Sequence, residues 1–399
     1  MANHATGWWI SSDGSGQLTT HFRDDIALSQ MREGSLTINV HYSALNYKDA
    51  LALTGSPGVV RKPPLIPGID CAGVVSESSD PKVPSGTSVV ITGYGYGENC
   101  HGGLATRVMA DPEHVIPIPE GLSLQDAATL GTAGITAGLA IRALEHHGVS
   151  PDSDLPIAVT GAAGGVGSLA LALLSHTGYR TIAITGRTDE AEYLTMLGAT
   201  EIMSRQEFLA QPPRPLLPEQ FAGAIDQAGG EMLATLLAST RSNGVVAACG
   251  LAAGSNLPTT VLPFILRGVS LVGINSVFQS QDVRDELWSL FADANLPLDQ
   301  ISQVIDLADA LDTAPRVLSG LTRGRIVVKV RDYSSPRSAH KTAATAPTTV
   351  TPSAINHGVE SSSHDRATQA PAFLAMTSGR SRCSISSSVA PRSSRVSWT

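Results

Sequence analysis

Along residues 1–125, short runs of alternating apolar and polar positions are broken by turn residues. Leu36-Thr-Ile-Asn-Val40 and Ser88-Val-Val-Ile-Thr92 are such runs, with turns at Thr54-Gly-Ser-Pro-Gly58 and Gly93-Tyr-Gly-Tyr-Gly97. A period of two predicts strands with one face in a core, so this part is expected to be a β-rich, partly barrel-like unit. From residue 126 the texture changes. Apolar runs at 157–160, 180–185, 224–226, 245–249 and 270–274, with a short strand ending at Arg205, are separated by helical stretches such as 164–177 and 188–197. Strands apolar throughout and alternating with helices predict a parallel, doubly wound sheet. This unit is expected over 126–285. Residues 286–331, a helical piece and the strand Arg325-Ile-Val-Val-Lys-Val330, are expected to return to the first unit.

Residues 332–399 hold 16 Ser, 8 Thr and 5 Pro without apolar periodicity. Such a stretch buries too little surface to offset its ordering entropy and is expected to be disordered. It is read either as a regulatory arm or as an extension without function. The whole chain, 42% hydrophobic and 16% charged over 399 residues, suits a globular protein of two domains. Its net charge of −8 argues against a nucleic-acid surface, which needs clustered Lys and Arg. Cys71, Cys100, Cys249 and Cys383 lie far apart, in neither a disulfide framework nor a metal-ligand spacing. The start MANHATGWWI lacks the features of a signal peptide, and no run approaches the ~20 apolar residues that span a bilayer. A reduced, cytoplasmic protein without nucleic-acid or membrane partners is expected.

The sharpest local signal is Thr160-Gly-Ala-Ala-Gly-Gly-Val-Gly-Ser168, between a predicted strand and a predicted helix. Gly161, Gly164 and Gly167, with Gly165 and Val166, would let the backbone approach a pyrophosphate at the helix N-terminus. The G-x-x-G-x-x-G spacing differs by one residue from the usual dinucleotide fingerprint, and a plain glycine turn competes with it. The end of the next strand favours the dinucleotide. Where an NAD site places Asp or Glu for the ribose hydroxyls, Thr185, Gly186 and Arg187 stand instead, and Arg205 follows the third strand. A hydroxyl and two guanidinium groups match a 2′-phosphate, so NADPH is the expected cofactor.

The β-rich part carries the polar residues Asn46, Tyr47, Asp49 and Asp70. With LNYKDAL (45–51), PGIDCAG (67–73), GTAGITA (131–137), TGAAGGVGS (160–168), AACGLA (247–252) and LPTTVLPFILRGVSLVGINSV (257–277), the chain resembles the medium-chain dehydrogenase/reductase superfamily over residues 8–330. Within it the motifs are similar to the acryloyl-CoA reductase and quinone-oxidoreductase-like subgroup. The resemblance implies a GroES-like domain, a Rossmann doubly wound domain and a homodimer. The apolar run 269–275 is read as an exposed edge strand that could join two such sheets. Alcohol dehydrogenases of the superfamily hold a catalytic zinc through a Cys near the position of Asn46 and a Gly-His-Glu corresponding to Gly68-Ile69-Asp70. Those ligands and the four-cysteine zinc loop are absent here, so alcohol oxidation is disfavoured.

The implied reaction is hydride transfer from NADPH to the β-carbon of an enone or enoyl thioester. Asn46 would orient substrate or nicotinamide, Tyr47 or water would protonate the α-carbon, and Asp49 and Asp70 would complete the network. Thr132 is expected beside the nicotinamide, with Cys249 and Ser276 along the cleft. A quinone is the alternative substrate, and a low-turnover NADPH sensor or scaffold the alternative role. Two positions depart from the subgroup: its aromatic residue before Gly102 is His101 here, to which no chemistry is assigned, and Gly86-Thr-Ser88 lacks the usual Asp after the glycine. Arg61-Lys62 is read as a contact for the phosphates of a CoA thioester or a solvated pair.

Overall fold

The computed structural model describes residues 4–330 apart from 15, 32, 33 and 213. The disorder expected over 332–399 concerns residues outside the described ones. A hairpin of β1 (His4–Ser12) and β2 (Leu18–Ala27) precedes the first large sheet. That sheet holds β3 (Leu36–Ala44), β4 (Asp70–Ser78), β5 (Ser88–Thr92), β6 (Arg107–Ala110) and β7 (Ile116–Pro117), paired antiparallel. The second sheet is parallel throughout: β8 (Ile157–Thr160), β9 (Thr181–Thr185), β10 (Glu201–Ser204), β11 (Phe221–Asp226), β12 (Thr240–Ala248) and β13 (Ser270–Gly273). Its order, β10-β9-β8-β11-β12-β13, is the doubly wound arrangement that the alternation of strands and helices predicts. The chain then returns, with β14 (Ser302–Asp306) and β15 (Arg325–Lys329) joining the first sheet in the order β14-β15-β3-β4-β5-β7.

The apolar patterns explain these layers. Every residue of β8 and β11 is buried, as both faces of a parallel sheet are covered. The strand β12 starts at Thr240, five residues before the apolar run that predicts it. Polar Arg241, Ser242 and Asn243, the last with φ +58°, hide this first part of the strand from a hydrophobicity pattern.

The helix α1 (Tyr47–Leu53) leaves β3 after two residues, α2 (Leu124–His146) runs between the two sheets' cores, and α3 (Gly165–His176) follows β8. Among the described residues α2 alone is long and apolar enough to cross a membrane, which the sequence reading did not anticipate. Its small residues, Ala127, Ala128, Ala133, Gly134, Ala137 and Ala140, are instead buried in the core.

Candidate active site and dinucleotide cleft

Register brings the central residues together. In β3, Ser43 pairs with Cys71 of β4 on one side, and Ala44 pairs with Val327 of β15 on the other. The antiparallel geometry therefore places Asn46, just past β3, between Asp70 at the start of β4 and Arg325 at the start of β15. Asn46 caps α1, and its backbone N–H donates to the Asp49 carboxylate at 2.9 Å, the reciprocal half of a capping box. Its carboxamide is also fully engaged. Nδ2 donates to Asp49 Oδ2 at 3.0 Å and to Asp70 Oδ2 at 2.9 Å, while Oδ1 accepts from the Arg325 guanidinium at 2.8 Å.

Asp70 is completely buried and accepts four hydrogen bonds. Besides Asn46, Arg325 donates to Oδ2 at 3.1 Å, and the Thr132 backbone and hydroxyl donate to Oδ1 at 2.8 and 2.6 Å. The Thr132 contact depends on a break in α2. Gly131 has φ +43° and ψ −148°, and a second helical segment starts after it with its first N–H, that of Thr132, aimed at the carboxylate. A Cβ on Gly131 would lie 2.5 Å from Asp70 Oδ2, so both backbone conformation and space require glycine there.

Sequence reasoning missed Arg325. It is 3% exposed, and its Nε donates to the Thr129 carbonyl at 2.8 Å. Burial pushes its guanidinium below the ordinary value, and the Asp70 and Asp49 charges oppose that shift. Burial also pushes Asp49 up, to about 7, with the Asp70 charge adding to the rise. The one available signal was an arginine opening an otherwise apolar strand, a position that demands a buried acidic partner. Tyr47, the first residue of α1, lies outside this network. It is 43% exposed, and its hydroxyl makes no hydrogen bond among the described residues.

The glycine loop stands beside the cluster. Gly167 packs so closely on the loop that a Cβ would lie 2.5 Å from the Gly161 carbonyl, which lets α3 start against the turn. Gly165 faces Arg325, whose Cδ would lie 3.0 Å from a Cβ placed there. At the loop's other side, the Ala163 carbonyl accepts from Arg187 at 3.0 Å. Thr185 Oγ1 accepts from the Arg187 backbone N–H at 3.0 Å, and the Arg205 guanidinium packs over Gly186, its carbon 3.3 Å from where a Cβ would be. Thr185, Gly186, Arg187 and Arg205 therefore do share one corner. The cradle that a Cβ would fill and the two cations beside it fit a dinucleotide with an extra phosphate.

The remaining expected residues take other positions. The Ser276 hydroxyl lies 2.9 Å from that of Thr136, one turn beyond Thr132, and its carbonyl accepts from Arg284. The Cys249 thiol rests on the Asp226 carbonyl at 3.3 Å, and burial pushes it up to about 12, so it stays protonated. Gln227 is a second residue without a sequence signal: its Oε1 lies 3.2 Å from where a Cβ on Gly161 would be, and its Nε2 is buried without a partner among the described residues.

His101 ties the scaffold together. Its Nδ1 accepts from the Ile66 backbone at 3.0 Å, which leaves Nε2 to donate to the Gln30 carbonyl at 3.0 Å, and the ring stacks on Trp9 at 5.5 Å. It also borders a 480 Å³ cavity together with Lys62, Tyr94 and Asn99. Among the described residues no group of three or more His, Cys, Asp or Glu side chains is placed to hold a metal ion.

Comparison with known proteins gives this geometry its family. Residues 32–120 match the alcohol dehydrogenase GroES-like domain, and residues 165–293 match the zinc-binding dehydrogenase domain. The chain is similar to the acrylyl-CoA reductase AcuI of Ruegeria pomeroyi, 45% identical over 308 residues that cover 76% of this chain and 93% of that protein. The structure of Escherichia coli K-12 YhdH with bound NADPH superposes with a TM-score of 0.77 at 43% identity, covering 82% of this chain and all of that one. Bacillus subtilis YhfP, named a putative quinone oxidoreductase, is 40% identical over 309 residues, 76% of this chain and 93% of that protein. Its structure with NAD bound has a TM-score of 0.77, covering 82% of this chain and all of that one. The chain therefore belongs to the medium-chain dehydrogenase/reductase superfamily, in its acryloyl-CoA reductase and quinone oxidoreductase-like subgroup.

Proposed function

We propose that the protein uses NADPH to reduce the C=C bond of an α,β-unsaturated carbonyl compound, an acryloyl-CoA-like thioester. The observation that carries this reading is the contact between Arg325 and Gly165, which sets a buried, donor-rich cluster against the glycine loop. Gly161, Gly164, Gly165, Val166 and Gly167 would hold the pyrophosphate, and Thr185, Gly186, Arg187 and Arg205 the 2′-phosphate. Bound there, NADPH would supply a hydride to the β-carbon. Cys249 and Ser276 would border the nicotinamide end.

The chain's own task is to bind the substrate carbonyl and manage a proton. Reduction at the β-carbon develops negative charge on the carbonyl oxygen, and fixed N–H donors favour that charge most where water is excluded. Three of the five Arg325 N–H groups are engaged among the described residues, which leaves two for such an oxygen. Thr132 is held on Asp70, and Asn46 is locked by Asp49, Asp70 and Arg325, so these residues hold the guanidinium in place. Tyr47, exposed at the start of α1, or water would protonate the α-carbon.

Similarity to a protein named a putative quinone oxidoreductase supports a second reading, reduction of a quinone at the same site. NADPH consumption with acryloyl-CoA, crotonyl-CoA and a simple quinone, with NADH in parallel, tests both. Fast turnover of the thioesters with NADPH is the expected result. Turnover of quinone alone selects the second reading, and a single turnover without further consumption selects a sensor or scaffold.

The same proposal includes a homodimer in the cytoplasm. The edge strand β13 lies near exposed Val261, Ile265 and Leu266, each more than 60% accessible, an apolar patch suited to a second copy. An Ile265→Glu variant is expected to sediment as a monomer. Residues 1–125 and 286–331 as a GroES-like catalytic domain, with 126–285 as the NADPH domain, complete this reading.

A further inference from the structure

Beside the cation corner lies a 440 Å³ cleft lined by Glu190, Tyr193 and Arg323, among others. Glu190 follows Arg187 by three residues and stands between two arginines. One carboxylate oxygen is 3.9 Å from Arg187 and the other 3.4 Å from Arg323. The Arg323 guanidinium lies over the Tyr193 ring at 4.7 Å, and the Tyr193 hydroxyl donates to Ser168 on α3 at 2.8 Å. The next residue, Gly324, donates its N–H at 2.9 Å to the Ala163 carbonyl, the acceptor that also holds Arg187. Both arginines are thus registered against one peptide of the glycine loop, with one acid shared between them.

A carboxylate within 4 Å of Arg187 competes with a phosphate for that cation. Building on the assignment of Arg187 to the 2′-phosphate, we propose that the Glu190–Arg323 pair sets the cofactor preference. Arg323 draws Glu190 away and leaves Arg187 to a phosphate monoester. Arg323 is a positioning residue in this scheme and acts only through Glu190. The groups are partly exposed, so the effect is modest.

Dissociation constants for NADPH and NADH, read from nicotinamide fluorescence on binding, test this without turnover. R323Q is expected to weaken NADPH about two- to fivefold, leaving NADH no weaker. E190Q is expected to tighten NADPH, and the double variant E190Q/R323Q to return to at least the affinity of the wild type. An R323Q variant that binds NADPH as the wild type does overturns the proposal. So does a loss that persists in the double variant, since Arg323 would then touch the phosphate itself. R187Q separates this failure from that of the underlying assignment: unchanged NADPH preference in R187Q overturns the phosphate site, and the proposal with it.

Discussion

The carboxylate cluster around Asp70 and the cation corner after β9 are both made of charged side chains, yet their construction is opposite. Asp70 and Arg325 are 0% and 3% exposed and are satisfied by four and three hydrogen bonds. The side chains of Arg187 and Arg323 are 25% and 44% exposed and share one acid at distances beyond good hydrogen bonds. Buried charges have no water to fall back on, so each partner is indispensable. Exposed charges exchange partners at little cost, which suits a surface that must accept and release a phosphate. Under the proposed function the first region orients chemistry and the second discriminates ligands.

Substitutions sharpen this contrast. Arg325→Met leaves Asp70 buried with an uncompensated charge, and urea unfolding should show a loss of about 3–5 kcal/mol, together with loss of enone reduction. Asp49 accepts three N–H groups, two from Asn46 on Oδ2 and one from Ile69 on Oδ1, and Asp49→Asn turns one of these two oxygens into a donor. Leaving one unpaired costs about 1–3 kcal/mol. That variant also carries a pH signature. The folded Asp49 carboxyl lies at about 7 against an ordinary 3.8, so the folded state holds the proton more tightly. Its contribution is fully present below the unfolded value and is lost as pH rises through about 7. The stability lead of the wild type over Asp49→Asn should therefore narrow between about pH 4 and about pH 7; a constant lead would show that Asp49 stays ionised.

Gly131→Ala meets the Asp70 carboxylate and an unsuited φ, at a cost of about 1–3 kcal/mol in the same unfolding measurement. It should lower kcat more than it raises KM for NADPH, because the break in α2 orients Thr132. The smallest effect belongs to the open corner. Arg205→Gln should weaken NADPH about tenfold, equivalent to one charge-assisted hydrogen bond, with NADH and the melting midpoint little changed. A matching loss of NADH affinity would place Arg205 on the adenosine and not on the phosphate.

The glycine loop, the strand end at Thr185, the arginine after the third strand and the polar stretch holding Asn46 and Asp49 were legible because each is a local pattern. A capping box such as Asn46 to Asp49 spans four residues and the phosphate loop nine, and their backbone preferences act over that distance. The doubly wound sheet was legible for a similar reason, since fully apolar strands separated by helices have few other ways to bury both faces. The polar start of β12 was not, because solvent-facing positions place no demand on side-chain polarity.

Sequence alone thus determined the two sheets, the dinucleotide loop and the carboxylates of the candidate site. Only the tertiary structure decided what faces those carboxylates. Arg325 lies 279 residues from Asn46 and 255 from Asp70, and Arg323 lies 133 from Glu190. No local preference links such positions. Arg325 meets Asn46 because β15 pairs with β3 in one register, and that register follows from apolar faces that must be buried together; Arg323 meets Glu190 where Gly324 donates to the Ala163 carbonyl of the glycine loop.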